Sequence, residues 1–437
     1  MPPAGVIPPG VSLSVTGSPA DGSFVDTQIR DALDRQIRPT LRPGSSISYG
    51  PIVPWPILPL PAAARTAVNV TVTITGNDTS ASVSGTTLAV VDDVVTPPPK
   101  PVVLFLSDDP EYLQSEGLVF RGNVALGRAA RLYYYHADLG LPRDVDVVLT
   151  ADAPSRVQLV QSKGGPELDV MNVGHIVTRD VMLNEQRNQG ILIDLAPGKP
   201  VVVRHDLILQ GELVAGAIDL SVLSGAGITA SVVASPAGGR PETYLAGPRV
   251  ALDGHNRHGI FDLNDFGNHT ATYAVGGPDT AVKYGGRTPT PRNVDPNDSG
   301  RDYGDYGVLH NITFTLMNPT SASQLIYLYA KPLGGPVRST FIVDGQFKEM
   351  GCARLPVPYW LTTYQLPPLS KTASTTLTMT DGGSFYPIEF GVTATQPASY
   401  TPPIHTADGC SPSAPAWTAP TAVPQPAATP LSTSSRA

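Results

Sequence analysis

The chain has 437 residues, of which 41% are hydrophobic and only 15% are charged, and its formal net charge is −8. A chain of this length has material for roughly two to four domains with their own cores. The acidic balance excludes a general nucleic-acid binder, because phosphate contacts require clustered Lys and Arg. No apolar stretch reaches the roughly 18 residues that a membrane span requires.

The 42 Gly and 46 Pro residues favour a turn-rich, mainly β protein over a helical one. Since charges are sparse, solubility depends on Thr, Ser, Asn and Gln, which is typical of proteins outside the cell. Residues 1–5 have neither the basic nor the apolar part of a signal peptide, so for an exported protein we expect either that the signal has been removed or that the chain is a fragment. The composition therefore predicts a secreted or cell-envelope protein.

The first 95 residues are predicted to form an N-terminal arm with one helix and a β-hairpin. Apolar residues recur at helical spacing after Ser23 and stop before Pro39, which places the helix from Ser23 to about Arg38. Strict alternation over 68–74, a Gly-Asn-Asp turn and a second alternating stretch over 82–91 predict the hairpin.

Two stretches then repeat one pattern of alternating strands and turns, and we predict that each forms an antiparallel β-sandwich. A proline-rich linker, residues 96–101, leads into the first sandwich, residues 102–236. The second sandwich takes residues 306–400. The strands expected are Ala130–Tyr135, Val145–Thr150, Val157–Gln161, Val201–Leu209 and Ile228–Ala234 in the first, and Ile312–Met317, Leu325–Ala330, Phe341–Val343, Thr375–Thr380 and Ile388–Thr395 in the second.

Residues 237–305, between the two sandwiches, are rich in Gly, Asp, Asn, His and Tyr. We predict a long irregular loop that bridges the sandwiches and carries ligand or partner contacts, because connections of this length are usually functional. Residues 401–437 are a low-complexity tail of Pro, Ala, Thr and Ser, expected to be disordered or stalk-like.

The strongest local motif is the stretch 295–300, which has oxygen-bearing side chains at positions 1, 3 and 5 and glycine at position 6. This spacing matches the first half of a calcium loop, although no Glu stands at position 12 and no helix flanks the stretch. The alternative is a turn whose side chains bond their own backbone. Calcium is the one cofactor that the sequence suggests, and its candidate ligands are Asp295, Asn297, Ser299, Asp302 and Asp305.

A second set, His255, His258 and Asp262, has the residue types of a zinc or other transition-metal site. Such a site would fit a metal-dependent hydrolase on a β-scaffold, whereas the alternative is a loop whose histidines bond the backbone. The acidic segment 108–111 is either a solvated turn or part of a shared calcium site. Since no Gly-x-Ser-x-Gly nucleophile motif or phosphate-binding loop occurs, we do not expect an enzyme.

Tyr303 and Tyr306 lie in the irregular segment, where planar rings can stack on sugar faces. The alternative for them is packing at a sandwich rim with the hydroxyl in water. The two cysteines, Cys352 and Cys410, flank the second sandwich. A disulfide between them would fit an oxidising compartment, and the alternative is two unrelated thiols.

At the level of class, the two strand patterns resemble tandem immunoglobulin- or fibronectin-type modules of secreted bacterial proteins, on strand spacing and turns such as 195–198 (Leu-Ala-Pro-Gly). The Cys…Trp…Cys core of immunoglobulin domains is absent, so no family site residues carry over. The resemblance implies a structural or adhesive scaffold, which could be an oligomer, with other protein subunits or surface polysaccharides as partners. In one version the N-terminal arm adds a strand to a neighbour's sheet. A carbohydrate-binding accessory module is the alternative function.

Overall fold

The computed structural model describes residues 1–54, 57–264, 266–295, 298–355 and 357–396. These residues form a mainly β structure with two α-helices, α1 (Gly22–Ile37) and α2 (Val170–Arg187), and short 3₁₀ turns at Arg38–Thr40 and Pro241–Tyr244. The strands are β1 Gly10–Thr16, β2 Ser46–Val53, β3 Arg65–Thr75, β4 Val83–Asp93, β5 Pro101–Ser107, β6 Tyr112–Leu113, β7 Gly117–Val124, β8 Ala129–Asp138, β9 Arg143–Thr150, β10 Ser155–Glu167, β11 Gly190–Leu195, β12 Val201–Ile208, β13 Leu213–Ser224, β14 Ile228–Pro236, β15 His258–Asp262, β16 Asn268–Ala274, β17 Thr280–Tyr284, β18 Arg292–Asn293, β19 Leu309–Asn318, β20 Gln324–Pro332, β21 Val337–Val343, β22 Gln346–Ala353, β23 Tyr359–Leu366, β24 Ser370–Met379 and β25 Ile388–Thr393.

The largest sheet has the strand order β18-β15-β5-β8-β13-β10-β11-β1-β4-β3-β2, and β6 pairs with β8. One of its faces shares a core with α1 and with a four-stranded sheet in the order β12-β9-β14-β7. Alternation along β8 sets the two faces, since Tyr134 lies in this core while Tyr133 and Tyr135 lie in a separate core on the opposite face. The part of the large sheet around β8 is therefore buried on both sides, whereas β3 and β4 alternate between buried and exposed residues.

Helix α1 begins one residue before the expected Ser23, and its apolar positions explain where it packs. Val25, Ile29, Leu33 and Ile37 recur every four residues, and all are fully buried against the sheet end formed by β1 to β4. The two long strands of that end, β3 and β4, pair antiparallel as the alternation of residues 68–74 indicates.

The N-terminal strand is fully used inside the chain. Strand β1 lies between β4, to which it is parallel, and β11, to which it is antiparallel. Both hydrogen-bonding edges of β1 are thus occupied within the chain, and addition of a strand by this arm to a neighbour's sheet stays a prediction.

Helix α2 was not predicted, since the only helix expected from the sequence was the one over 23–38. Its signal is an apolar repeat of Val173, Val177 and Val181, preceded by Asp169, whose side chain accepts a hydrogen bond from the amide of Asn172 at 3.1 Å. The helix packs between the large sheet and the sheet that contains β21 and β24. No helix in the described ranges is long and apolar enough to cross a membrane.

The C-terminal part has a five-stranded sheet, β16-β19-β24-β21-β22, and a four-stranded sheet, β17-β25-β20-β23. Inward side chains of both sheets form one core, in which Phe314, Phe341 and Phe390 stack with ring centres 5.6 to 6.0 Å apart. The layers therefore run from the first four-stranded sheet through the large sheet and α2 to these two sheets.

The prediction of a long irregular loop over 237–305 is wrong. This segment contributes β15 and β18 to the large sheet, β16 to the five-stranded sheet and β17 to the last four-stranded sheet. Strands β15, β16 and β17 pair with strands outside the segment, namely β5, β19 and β25. Strand β18 pairs with β15, within the segment. Short strands whose partners are remote carry little local signal, which explains the error.

Candidate functional site

Three segments that contain candidate site residues lie next to one another in the fold. Strands β5 and β15 pair antiparallel, so the residues that follow β5 lie beside those that precede β15. The amide of Asp108 donates to the carbonyl of Arg257 at 3.0 Å. Segments 108–111, 253–258 and 298–306 together form what we call the junction cluster.

Arg257 is the central cation of the junction cluster. Its guanidinium contacts the carboxylates of Asp108 and Glu111, and it lies 5.7 Å from the centre of the Tyr306 ring. Burial raises the pKa of Asp108 to about 8, although Arg257 acts in the opposite direction. Arg257 therefore connects the segment after β5 to the 298–306 turn by buried contacts.

The two carboxylates of this turn, Asp302 and Asp305, point into the protein. Asp302 accepts from the amide of Tyr306 at 2.8 Å, and Asp305 accepts from the amide of Gly285 at 2.9 Å. Burial raises the pKa of Asp305 to about 7 and that of Asp302 well above its ordinary value. One oxygen of each carboxylate is buried without a hydrogen-bond partner.

The remaining calcium candidates lie nearer the surface, apart from these two carboxylates. Asp295 is half-buried and its amide donates to the side chain of Asn293 at 3.0 Å, while Ser299 is exposed. Asn297 lies outside the described residues. The alternative interpretation is a turn whose side chains bond nearby backbone amides, and the hydrogen bond between the Asp295 amide and the Asn293 side chain is of this kind. Calcium binding by the whole set stays a prediction.

The transition-metal candidates each contact a different partner. His255 Nδ1 lies 2.6 Å from the carboxylate of Asp253, and His258 Nε2 lies 3.0 Å from that of Asp298. Asp262 accepts from Arg292 at 3.0 Å. Across the part of the chain that the structure describes, no group of three or more His, Cys, Asp or Glu side chains could hold a metal ion. The three candidates are therefore not brought together.

The predicted sugar-binding tyrosines differ in their surroundings. The ring of Tyr306 stacks on Tyr133 with centres 6.3 Å apart and contacts Arg257 as well, so it is used inside the protein. Tyr303 is half-buried, with the Arg287 guanidinium 5.9 Å from its ring centre.

Cys352 is buried beside Met171 of α2. Cys410 and the rest of the 401–437 tail lie outside the described residues. The disulfide between these cysteines stays a prediction.

A second buried cluster was not anticipated, and we call it the histidine clamp. His175 of α2 contacts Asp381 through Nδ1 at 2.6 Å and Glu349 of β22 through Nε2 at 2.7 Å. Burial alone would lower the pKa of His175, but the two carboxylates outweigh it and raise the pKa to about 9. Burial also raises the pKa of Asp381 to about 6. Between these values the clamp is a buried ion pair that joins α2 to the C-terminal sheets.

A third buried group surrounds Arg131 on β8. Its guanidinium forms two hydrogen bonds with Asp219, of 2.6 and 2.9 Å, contacts Glu185 of α2 and donates to the carbonyl of Gly307 at 3.0 Å. A cavity of about 260 Å³ borders this group. Because the guanidinium already has protein partners on several sides, its charge is balanced within the fold.

In each of the three groups, one contact of a buried or half-buried cation crosses between layers: Arg131 contacts Glu185 of α2, His175 contacts Glu349 of β22, and Arg257 lies over the ring of Tyr306. The other carboxylates bound by the two arginines lie on, or next in sequence to, strands of the same large sheet. Each buried pair is costly to break, because removing one partner leaves an unpaired charge away from water. The chemistry that this arrangement supports best is attachment of one layer to the next.

Comparison with protein-family models and with curated proteins finds no match for this chain. Among solved structures, Lac15 from a marine microbial metagenome is 11% identical, covers 78% of this chain and 75% of its own, and has a TM-score of 0.14. The CBM22-1-CBM22-2 tandem domain of Paenibacillus barcinonensis Xyn10C is 9% identical, covers 69% of this chain and 100% of its own, and has a TM-score of 0.13. Similarities this low carry no argument about fold or function.

Proposed function

We propose that this chain is a non-catalytic structural or adhesive scaffold of the cell surface or the extracellular space. The proposal includes two immunoglobulin-like β-sandwiches, one between the β12-β9-β14-β7 sheet and the large sheet, the other between the two C-terminal sheets. Facing sheets with one shared core support this interpretation.

The observation that carries the proposal is the placement of the chemistry-bearing residues. Arg131, His175 and Arg257 are each buried or half-buried, and each binds carboxylates from other elements. Side chains in such pairs contribute to rigidity between layers and are poorly placed to meet a substrate. Rigid connection of several sheets is what a scaffold needs.

The secreted location rests on composition and on the predicted cysteine bridge. Few charges and a Thr- and Ser-rich surface are common outside the cell, where disulfides also persist. Alkylation of the unfolded, unreduced protein tests the bridge. We expect no alkylation of Cys352 or Cys410, and modification of both thiols would remove this support.

Partners of a scaffold are other protein subunits or surface polymers. The edges available for strand addition by a partner are those at the ends of the sheets, among them β2 of the large sheet and β23 of the last sheet. Sedimentation velocity over a range of concentrations measures whether the chain associates with itself through such edges.

The decisive test separates a scaffold from a hydrolase. Wild type, Arg257→Met and His258→Gln are compared in thermal unfolding and in turnover of chromogenic glycosides and esters, with and without chelator. We expect Arg257→Met to unfold at a lower temperature and none of the three proteins to turn over substrate. Turnover by wild type that is lost in a folded His258→Gln variant would overturn the proposal in favour of a hydrolase.

A further inference from the structure

The outer face of the β17-β25-β20-β23 sheet carries an aromatic surface, which we call the aromatic face and define by Tyr327, Tyr329 and Trp360. Side chains alternate along a strand, and Ile326 and Leu328 of β20 point into the core. Tyr327 and Tyr329 therefore lie on the opposite side of β20, away from the core.

The register extends this surface over three strands. Tyr329 is opposite Trp360 on β23 and opposite Gly391 on β25. A Cβ atom at Gly391 would lie 2.6 Å from the ring of Tyr329, so the absence of a side chain there lets this ring lie across β25. The rings of Tyr327 and Trp360 meet edge to face, with centres 4.4 Å apart.

Polar and charged groups border the aromatic face. Glu389 of β25 accepts from the Tyr329 hydroxyl at 3.2 Å and pairs with Lys331 at 3.5 Å and with Lys283 at 3.9 Å. On β23, Thr363 lies opposite Tyr327 and is exposed. Tyr327 and Trp360 are half-buried, so part of each ring is fixed in the fold and part is accessible. Tyr329 is buried, with 8% of its surface exposed, so the two accessible rings are those of Tyr327 and Trp360.

We propose that the aromatic face binds an uncharged polysaccharide chain. A sugar ring has an apolar face of C–H groups and carries hydroxyls at its edge. The aromatic face offers rings for the apolar side of a sugar, and the hydroxyl, ammonium and carboxylate groups around them can bond its hydroxyls. Lys283 and Lys331 are balanced by Glu389 and by Asp279, which acts on Tyr329 electrostatically. This balance of charge favours a neutral ligand over an anionic one.

The inference deepens the adhesive part of the proposed function and rests on it for the biological setting. It places the ligand on the outer face of the last sheet and not at Tyr303 and Tyr306. The two proposals fail by different measurements, since the scaffold is refuted by turnover and the aromatic face by lack of binding.

The test is affinity electrophoresis of the full chain in gels that contain hydroxyethylcellulose, mixed-linkage β-glucan or galactomannan, with polygalacturonate as the anionic probe. We expect wild type to be retarded by at least one of the neutral probes, and Trp360→Ala and Tyr327→Ala to bind at least about tenfold more weakly. Thr363→Arg blocks the face from an exposed position, so it keeps the test valid if the ring variants unfold.

Two controls complete the experiment. Phe385→Ala removes another aromatic ring, 56% exposed and outside the aromatic face, and Tyr303→Ala removes the tyrosine that the sequence suggested. Both should bind as wild type does. Binding to no neutral probe, binding to polygalacturonate alone, equal binding by Thr363→Arg, or self-association of wild type that the face variants abolish would each overturn the proposal.

Discussion

Deprotonation of His175 is expected to weaken the attachment of α2 to the C-terminal sheets. Asp381 and Glu349 raise the pKa of this histidine from 6.5 to about 9 in the folded protein, against the effect of burial. A group whose pKa is raised on folding contributes stability in full below its unfolded pKa and loses it as the pH rises through the folded value. The loss should therefore extend from about pH 6.5 to about pH 9.

The magnitude follows from the size of the pKa shift. A shift from 6.5 to about 9 is roughly 2.5 units, and each unit corresponds to about 1.36 kcal/mol. The histidine clamp should thus contribute about 3 kcal/mol at pH 6 that is absent at pH 10. Burial raises the pKa of Asp381 to about 6, so this carboxyl also titrates at the lower end of the range, and the contribution of the histidine is taken from the points at pH 7 and above.

The assay is urea unfolding of wild type and His175→Gln at several pH values between 6 and 10. Wild type should lose about 3 kcal/mol more of its free energy of unfolding over this range than the variant does. His269→Gln is the control, because burial lowers the pKa of His269, which is the opposite direction to the shift of His175. The free energy of unfolding of His269→Gln should change with pH as that of wild type does.

Parallel pH profiles for wild type and His175→Gln would refute this reasoning. An NMR titration of His175 in the folded protein with a midpoint near 6.5 would do the same, because the carboxylates would then not favour the imidazolium. A steeper loss in the His269→Gln control would assign the effect to another group.

Three further predictions concern packing, buried charge and metal. Gly174→Ala places a Cβ 2.0 Å from the carbonyl oxygen of Gly382 and should destabilise the protein by about 1–3 kcal/mol. The control is Gly85→Ala, whose Cβ would lie 3.6 Å from its nearest atom and should cost less stability. Equal melting temperatures of the two variants would contradict this prediction. Arg131→Met leaves Asp219 buried without its cation and should cost about 3–5 kcal/mol in urea unfolding, and a loss below about 1 kcal/mol would show that the pair is not ionised. If calcium binds through Asp302 and Asp305, each of which has one buried oxygen without a hydrogen-bond partner, EDTA should lower the melting temperature. An unchanged melting temperature and no bound calcium in metal analysis would contradict the calcium hypothesis.

Alternation and helical spacing predicted the elements that carry a clear repeat of apolar residues along their own length. The residues 68–74, α1 and most strands of the C-terminal sheets follow from such local patterns. Helix α2 had a usable apolar repeat every four residues, but Gly174, His175 and Thr178 are also buried on its packed face and weaken the apolar pattern. The short strands within 237–305 could not be predicted, because their register depends on partners far along the chain.

The candidate sites were also predictable from the sequence only in part. The sequence indicated candidate residues in the acidic segment 108–111, at His255 and His258, and in the stretch from Asp295 to Tyr306, but not that pairing of β5 with β15 brings them together. His175 carried no motif, since its partners Asp381 and Glu349 are remote in sequence. The aromatic face was within reach, because alternation along β20 places its two tyrosines opposite its core residues.

The position of β1 has a consequence for the order of events during synthesis. The hydroxyl of Thr16 donates to the carbonyl of Asn188 across 172 positions, so this strand must wait for β11 to leave the ribosome before its second edge is paired. Contacts of such long range slow folding, and an unpaired edge can associate with other chains in the meantime.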